Sequence, residues 1–104
     1  MKSFYELDKI LSTIEKNEYF VDFINTKSLE AGIIMLQEGQ KDTQTSHPLD
    51  ELYYVIRGEG YIRIEGKSRG VQPGTFIFIP AKTIHYFYGN KGELVILYIF
   101  PKHE

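Results

Sequence analysis

Three side chains of this sequence have the types that bind transition metals or move protons: His47, Glu51 and His85. Imidazole nitrogen and carboxylate oxygen are common ligands of such metals, and the same groups serve as acid and base in catalysis. The chain contains no cysteine, so any metal site must use nitrogen and oxygen donors. Residue type alone does not choose between a metal site and two histidines that are merely hydrogen-bonded near strand ends.

The spacing of His47 and Glu51 constrains the backbone between them. Pro48 makes a helix interior improbable at this point. In a straight strand, residues four apart share a face but stand about 13 Å from each other. Metal–ligand bonds are about 2.0–2.2 Å long, so both side chains reach one ion only if Pro48-Leu49-Asp50 turns the chain. The sequence therefore predicts a turn here, with Glu51 starting the next strand.

The elements that must position these residues are mostly strands. From Tyr19 to Phe100 the chain consists of short apolar or alternating runs divided by Gly, Pro, Asn and Asp. Many short strands with regular turns predict an all-β barrel or sandwich, and 104 residues predict one domain, 1–104. The predicted strands are 19–24, 31–37, 51–57, 61–65, 68–72, 76–79, 85–88 and 93–100.

One helix is predicted before the strands, over residues 3–16. Apolar residues recur there at spacings of three and four, and Ser3 followed by Glu6 has the form of a capping box. A short amphipathic helix needs an apolar surface to dock on, so we expect it to lie on one face or end of a sheet.

Strand alternation predicts which residues accompany the metal-type side chains. Tyr53 shares a strand face with Glu51, and Phe87 shares one with His85. If these faces point into a barrel, Glu51 lies in a largely apolar cavity, where a carboxylate must find a cation or a proton. We expect Tyr53, Phe87 and Met35 to line this pocket, although ordinary core packing also explains the two aromatic residues.

Two stretches of the sequence have glycine, proline, histidine and glutamate at regular intervals. The first runs from Gly39 through His47 and Glu51 to Gly58 and fits the spacing G-x5-H-x-H-x3-E-x6-G. The second runs from Gly74 through His85 to position 89 and fits the spacing G-x5-P-x-G-x2-H-x3-N. These are the two motifs of the cupin superfamily, which the sequence resembles, in its small single-domain form, over roughly residues 32–100. The resemblance implies a cupin-type antiparallel β-barrel, also called a double-stranded β-helix or jelly roll, with a short N-terminal α-helix.

Three positions depart from the motifs: Thr45 stands for the first histidine, Lys82 for a glycine and Gly89 for the asparagine. The resemblance implies one divalent transition metal (Zn, Fe, Mn or Ni) held by His47, Glu51 and His85. Three outcomes stay open at position 45. Water completes the metal shell, or Gln44 or Thr45 does, or the site is metal-free.

The resemblance also implies a function and an assembly state. Cupins include dioxygenases, isomerases and lyases, so we expect a metal-binding protein that binds or acts on a small organic molecule, with no catalytic residue assigned. The alternatives are a non-catalytic small-molecule-binding cupin and a metal-free structural barrel. The family suggests a homodimer.

Composition bears on partners and location. A net charge of −2 without a basic run argues against nucleic acid, and no apolar run is long enough to span a membrane. Without a signal core or cysteine, a cytoplasmic location is expected.

Overall fold

Alternating apolar residues build strands over most of the chain. The computed structural model describes residues 2–43 and 46–102, in which one short helix precedes eight strands. Each predicted strand is present, with ends within two residues of the predicted ones. The elements are α1 (Leu7–Leu11), β1 (Phe20–Asn25), β2 (Leu29–Leu36), β3 (Glu51–Arg57), β4 (Gly60–Ile64), β5 (Lys67–Val71), β6 (Phe76–Ile79), β7 (His85–Tyr88) and β8 (Leu94–Pro101).

The strands form two antiparallel sheets that enclose the core. In the described residues, one sheet has the order β1-β2-β8-β3-β6 and the other β5-β4-β7. Inward-facing side chains of both sheets meet in one cluster, to which Ile34, Tyr53, Ile62, Phe87 and Ile96 belong. The predicted all-β cupin-type architecture is confirmed.

The helix is much shorter than the predicted 3–16. Its N-cap is Glu6, in an extended conformation and without a side-chain hydrogen bond, so Ser3 makes no capping box. At the other end, the hydroxyls of Ser12 and Thr13 donate to Lys9 O and Ile10 O, both at 2.7 Å. Such side-chain bonds compete with the helical pattern and help end the helix after one turn and a half. No helix among the described residues has the length and apolar character needed to cross a bilayer.

The outer face of the five-stranded sheet is apolar along its whole width. On one side α1 packs against β1 and β2, and Ala31 and Ile33 are buried. Their partners on β8 are Ile99 and Leu97. From these two residues, two rows of apolar side chains continue across β3 and β6, where α1 does not cover them. We call these six residues the outer apolar face: Leu52, Tyr54, Phe76, Phe78, Leu97 and Ile99.

Tyr98 ties three neighbouring strands together on the inner side of this sheet. Its ring lies over Gly32, where an added Cβ would fall 2.3 Å from the ring carbon Cζ. Its hydroxyl donates to Asp22 on β1. Gly32 is therefore required, since any side chain there would displace the tyrosine.

Candidate metal centre

The turn between His47 and Glu51 is held by the neighbouring loop. Pro48 and Leu49 form a bend, after which Glu51 opens β3. The Lys82 amide donates to His47 O at 2.6 Å, and the Ala81 amide donates to Asp50 Oδ1 at 2.8 Å. The loop before β7 thus fixes the turn, which brings His47 back toward the strand that carries Glu51.

Three metal-type side chains meet at this turn. His47 Nε2 lies 3.5 Å from Glu51 Oε1, and His85 Nε2 lies 3.2 Å from the same oxygen. Glu51 and His85 are fully enclosed, whereas the His47 side chain is 28% exposed. The structure therefore brings together the three residues that the sequence singled out, with His47 on the solvent side.

The tautomer of His85 follows from its second nitrogen. Nδ1 lies 2.8 Å from Thr83 O, which accepts only, so Nδ1 carries a hydrogen and donates it. The neutral ring then has its lone pair on Nε2, where the Tyr53 hydroxyl lies at 2.9 Å and donates to it. Holding Nδ1–H on a carbonyl is the usual way in which proteins orient a metal-binding imidazole.

Glu51 is a buried carboxylate that lacks hydrogen bonds. Within the described residues, Glu51 Oε1, Glu51 Oε2 and His47 Nε2 are buried atoms without a hydrogen-bond partner. The 3.2 Å approach of His85 Nε2 is a charge contact without hydrogen-bond geometry. When His85 is neutral, its Nε2 and the Glu51 oxygen are both acceptors, and two acceptors at this distance repel unless a proton or a cation lies between them.

The pKa values of the site reflect this arrangement. Burial by itself lowers the pKa of His85, but Glu51 and the Thr83 carbonyl outweigh it, and the pKa is raised above its ordinary 6.5. Burial, followed by the charge of Glu51, raises the pKa of Tyr53 above its ordinary 10.0. In the metal-free protein Tyr53 therefore keeps its proton, and a protonated His85 compensates the charge of Glu51.

Two of the donor distances can be compared with those around a single ion. Two donors bound at about 2.1 Å and seen from the ion at 90–109° lie about 3.0–3.4 Å apart. The two N···O distances at Glu51 Oε1, 3.2 and 3.5 Å, lie in or next to this range. As they are placed, no three His, Asp or Glu side chains in residues 2–43 and 46–102 form a group that could hold a metal ion. The buried, unpartnered atoms of Glu51 and His47 suit a cation chemically, but the three side chains would have to move to bind one ion together. Gln44 and Thr45, the predicted candidates for a fourth ligand, lie outside the described residues.

Of the three predicted pocket residues, two lie beside the metal-type side chains. Tyr53 and Phe87 are fully buried, with ring centroids 4.9 Å apart, and Tyr53 lies 5.7 Å from the His85 ring. Met35 lies on the other face of β2, because its neighbours Ile34 and Leu36 take the inward positions. The inward parity expected for Met35 is thus reversed.

Phe100 and Asp42 also support the site, and the sequence reading did not single them out. Phe100 stacks on the His47 ring, with ring centroids 4.9 Å apart. Asp42 is buried and accepts from the Tyr19 hydroxyl at 3.1 Å and from the Phe87 amide at 2.9 Å. It links the segment before His47 to the strand of His85. In the sequence, the only sign of Asp42's role was an acidic residue soon after Gly39 in the first motif. Acidic residues are common in surface loops, so this sign does not distinguish Asp42.

Replacing Asp42 by Ala is expected to lower the free energy of unfolding by about 2–3 kcal/mol, since charge-assisted hydrogen bonds are lost and the Phe87 amide is left buried and unpaired. Urea unfolding followed by circular dichroism measures this. Asp8→Ala is the control, because the Asp8 side chain is 92% exposed. Equal stability of the two variants would show that Asp42 is not an anchor.

At positions 82 and 89, where the sequence departs from the second motif, the local backbone keeps the turns in place. Lys82 has φ 66°, the left-handed conformation that glycine adopts readily, which accounts for glycine at this place in the motif. Asn90 is buried and donates to Leu36 O at 3.0 Å and to Gly92 O at 2.8 Å. Asn90 therefore fixes the turn after β7.

A groove lies beside the metal-type residues but does not include them. It has a volume of about 950 Å³ and runs between residues 38–43 and β7. Its lining includes Asp42, Ile84, Tyr86 and Phe87.

Comparison with known proteins agrees with this fold and motif spacing. Residues 32–100 match Cupin_2, the cupin domain. An uncharacterized protein of Streptomyces coelicolor is 28% identical over 105 residues, covering 100% of this chain and 99% of that protein. An uncharacterized conserved protein with a double-stranded beta-helix domain from Klebsiella pneumoniae has a TM-score of 0.84 at 13% identity, covering 98% of this chain and 91% of that one. KdgF from Halomonas sp. has a TM-score of 0.72 at 22% identity, covering 82% of this chain and 78% of that one. With more than half of its length in the family match, the chain belongs to the cupin domain family.

Proposed function

We propose that this cupin binds one divalent transition metal through His47, Glu51 and His85 and holds a small organic molecule beside it. The observation that carries the proposal is the Glu51 carboxylate, which is buried without a hydrogen bond and lies 3.2 Å from Nε2 of His85. Burying a carboxylate without a hydrogen bond destabilises the fold unless a cation is bound beside it. Zn, Fe, Mn and Ni all accept two imidazoles and a carboxylate.

The chain's own residues define what such a site does. When bound, the metal would supply Lewis-acid or redox chemistry and open coordination positions. Thr83 O orients His85, while the buried rings of Tyr53 and Phe87 exclude water from the inner side. His47, partly exposed and stacked with Phe100, marks the side from which a small molecule would enter. Dioxygenase, isomerase and lyase reactions all suit this arrangement.

Elemental analysis of untagged protein tests metal binding. The wild type is expected to contain about one metal ion per chain, and His85→Gln less than about a tenth of that, since a ligand with an oriented lone pair is removed. Glu93→Gln is the control, because its carboxylate lies on the surface near Arg57. Equal and substoichiometric metal in wild type and His85→Gln would contradict the proposal.

A metal-free binding protein is the second candidate. The hydrogen bond from Tyr53 to His85 Nε2 favours it, because this bond occupies the lone pair that a metal needs. Thermal stabilisation of metal-depleted protein by small organic molecules, unchanged by adding metal, would support this candidate. A barrel that responds to neither metal nor small molecules would have a structural role only.

We propose in addition that a second copy of the chain covers the outer apolar face. Its two rows of three apolar side chains contain Phe76, 70% exposed, and Phe78, 61% exposed. Contiguous apolar patches of a few hundred Å² mark interaction sites on soluble domains. A two-fold axis brings each patch onto its own copy, and an uncharged patch meets itself without like-charge repulsion. A stable interface needs about 800 Å² per partner, so the contact would extend onto the polar rim.

A further inference from the structure

A second cavity lies at the edge of the three-stranded sheet, where β5 ends. It has a volume of about 540 Å³, which is within the range of small-molecule sites. One of its walls is Tyr61 on β4, a residue that is 48% exposed. His85 points from the same sheet into the core, so this cavity and the proposed metal site are separate.

The ring of Tyr61 has an open space on one side. Tyr61 is the register partner of both Gly70 on β5 and Tyr88 on β7, so the three residues form one row on one face of the sheet. On the β7 side Tyr88 stacks with the Tyr61 ring, with centroids 5.6 Å apart. On the β5 side, a Cβ added to Gly70 would meet only Tyr61 Cε1 at 3.8 Å and Gly60 O at 3.9 Å, both ordinary contacts. The absence of a side chain on Gly70 thus leaves room beside the ring for a flat group.

Gly89, which stands where the second motif has asparagine, allows the ring to lie here. A Cβ added to Gly89 would fall 2.9 Å from Tyr61 Cδ2, so a larger residue would displace the ring. The φ of Gly89 is 70°, a conformation that glycine adopts readily. The departure from the motif at position 89 is therefore connected with the position of the ring beside the cavity.

Charged and polar side chains line the rest of the cavity: Glu59, Arg69, Gln72, Thr75 and Lys91. Arginine and lysine bind phosphate groups, arginine through two parallel hydrogen bonds. A glutamate carboxylate accepts hydrogen bonds from the hydroxyls of a ribose. An aromatic ring stacks with a nucleobase, since every base has a flat π-face. The cavity therefore contains one kind of group for each of the three parts of a nucleotide.

We infer that this cavity binds a mononucleotide whose base stacks on Tyr61 above Gly70. The phosphate pairs with Arg69 and Lys91, and the ribose hydroxyls donate to Glu59. The binding is non-covalent, so no bond is formed or broken. The inference goes beyond the proposed metal site, and neither depends on the other.

Isothermal titration calorimetry of the full-length protein with AMP tests the inference. AMP is expected to bind at least about tenfold more tightly than adenosine or ribose 5-phosphate, because each of these lacks one of the recognised parts. Tyr61→Leu should weaken AMP binding about 5- to 150-fold, since the base loses the ring on which it stacks. Tyr61→Phe keeps the ring and should stay within about twofold of the wild type.

Three further variants locate the site. Gly70→Val fills the space beside the ring with a residue that strands favour, so AMP binding should weaken at least about tenfold while circular dichroism stays unchanged. Arg69→Gln should weaken the binding of AMP but not of adenosine. Lys67→Gln, which removes the same charge from the same strand outside the cavity, should weaken neither. Absence of AMP binding by the wild type, or AMP binding that Gly70→Val and Tyr61→Leu leave unchanged, would overturn the inference and leave the proposed metal site standing.

Discussion

Glu51→Gln is expected to abolish metal binding and, at alkaline pH, to stabilise the metal-free protein. The amide keeps the shape of the side chain but removes the charge that makes this buried position a cation site. Metal affinity is expected to fall at least about 100-fold, because the lost ligand is the oxygen that both imidazoles approach. A change that weakens ligand binding while strengthening the fold is typical of a functional site that stores unfavourable interactions.

The sign of the stability change depends on pH. The pKa of His85 is raised in the folded protein, where Glu51, the Thr83 carbonyl and Asp42 favour its charged form against the effect of burial. The protonated pair therefore stabilises the metal-free fold fully below the unfolded pKa of about 6.5, and this stabilisation is lost as pH rises through the raised value. Above it, the wild type has a buried carboxylate without a proton or a cation, at a cost of about 1–3 kcal/mol.

Urea unfolding of metal-depleted protein between pH 6 and pH 10 measures this difference. The wild type should lose stability across the range, and Glu51→Gln should lose less and become the more stable protein at the alkaline end. Glu93→Gln should follow the wild type, because its carboxylate lies on the surface. Parallel curves for wild type and Glu51→Gln would mean that Glu51 is not paired with a proton on His85.

Phe76→Asp together with Phe78→Asp is expected to convert the protein from a dimer to a monomer. Both side chains lie on β6 at the uncovered edge of the five-stranded sheet. Truncating an anchor of a well-packed interface costs about 2 kcal/mol or more, so the pair should weaken the dimer at least about 1,000-fold. Both side chains are largely exposed in the single chain, which predicts little effect on its folding.

Light scattering coupled to size exclusion gives the mass directly. The wild type should elute with twice the chain mass of 12.1 kDa at micromolar concentration, and the variant with the single mass. Phe4→Asp is the control, because Phe4 is 85% exposed and lies outside the outer apolar face. A wild type that is monomeric at all micromolar concentrations would exclude the proposed contact.

Alternation and motif spacing predicted most of the strands and the grouping of the metal-type residues. Glu51 and His85 were recognisable because each opens an apolar strand, where a charged or imidazole group on the inward face is unusual. They lie together because the loop before β7 is hydrogen-bonded to the turn before β3, through the Lys82 and Ala81 amides. The spacing of the two motifs predicts this grouping because the turns and strands between the motif residues have nearly fixed lengths.

The parts that the sequence did not predict depend on tertiary contacts. β2 is apolar on both faces, so a period of two cannot show whether Ile34 or Met35 points inward. The choice is made by α1, which covers the face of Ile33. The helix itself is shortened by Ser12 and Thr13, whose hydroxyls bond locally. Phe100 and Asp42 act through residues more than forty positions away, and no local pattern marks such pairs.

Glu51 and His85 belong to different sheets, the first to β3 in the larger sheet and the second to β7 in the smaller one. Their contact, at 3.2 Å, therefore joins the two sheets, which share no strand pairing in the described residues. A substitution at either residue thus changes the contact between the sheets as well as the proposed metal site.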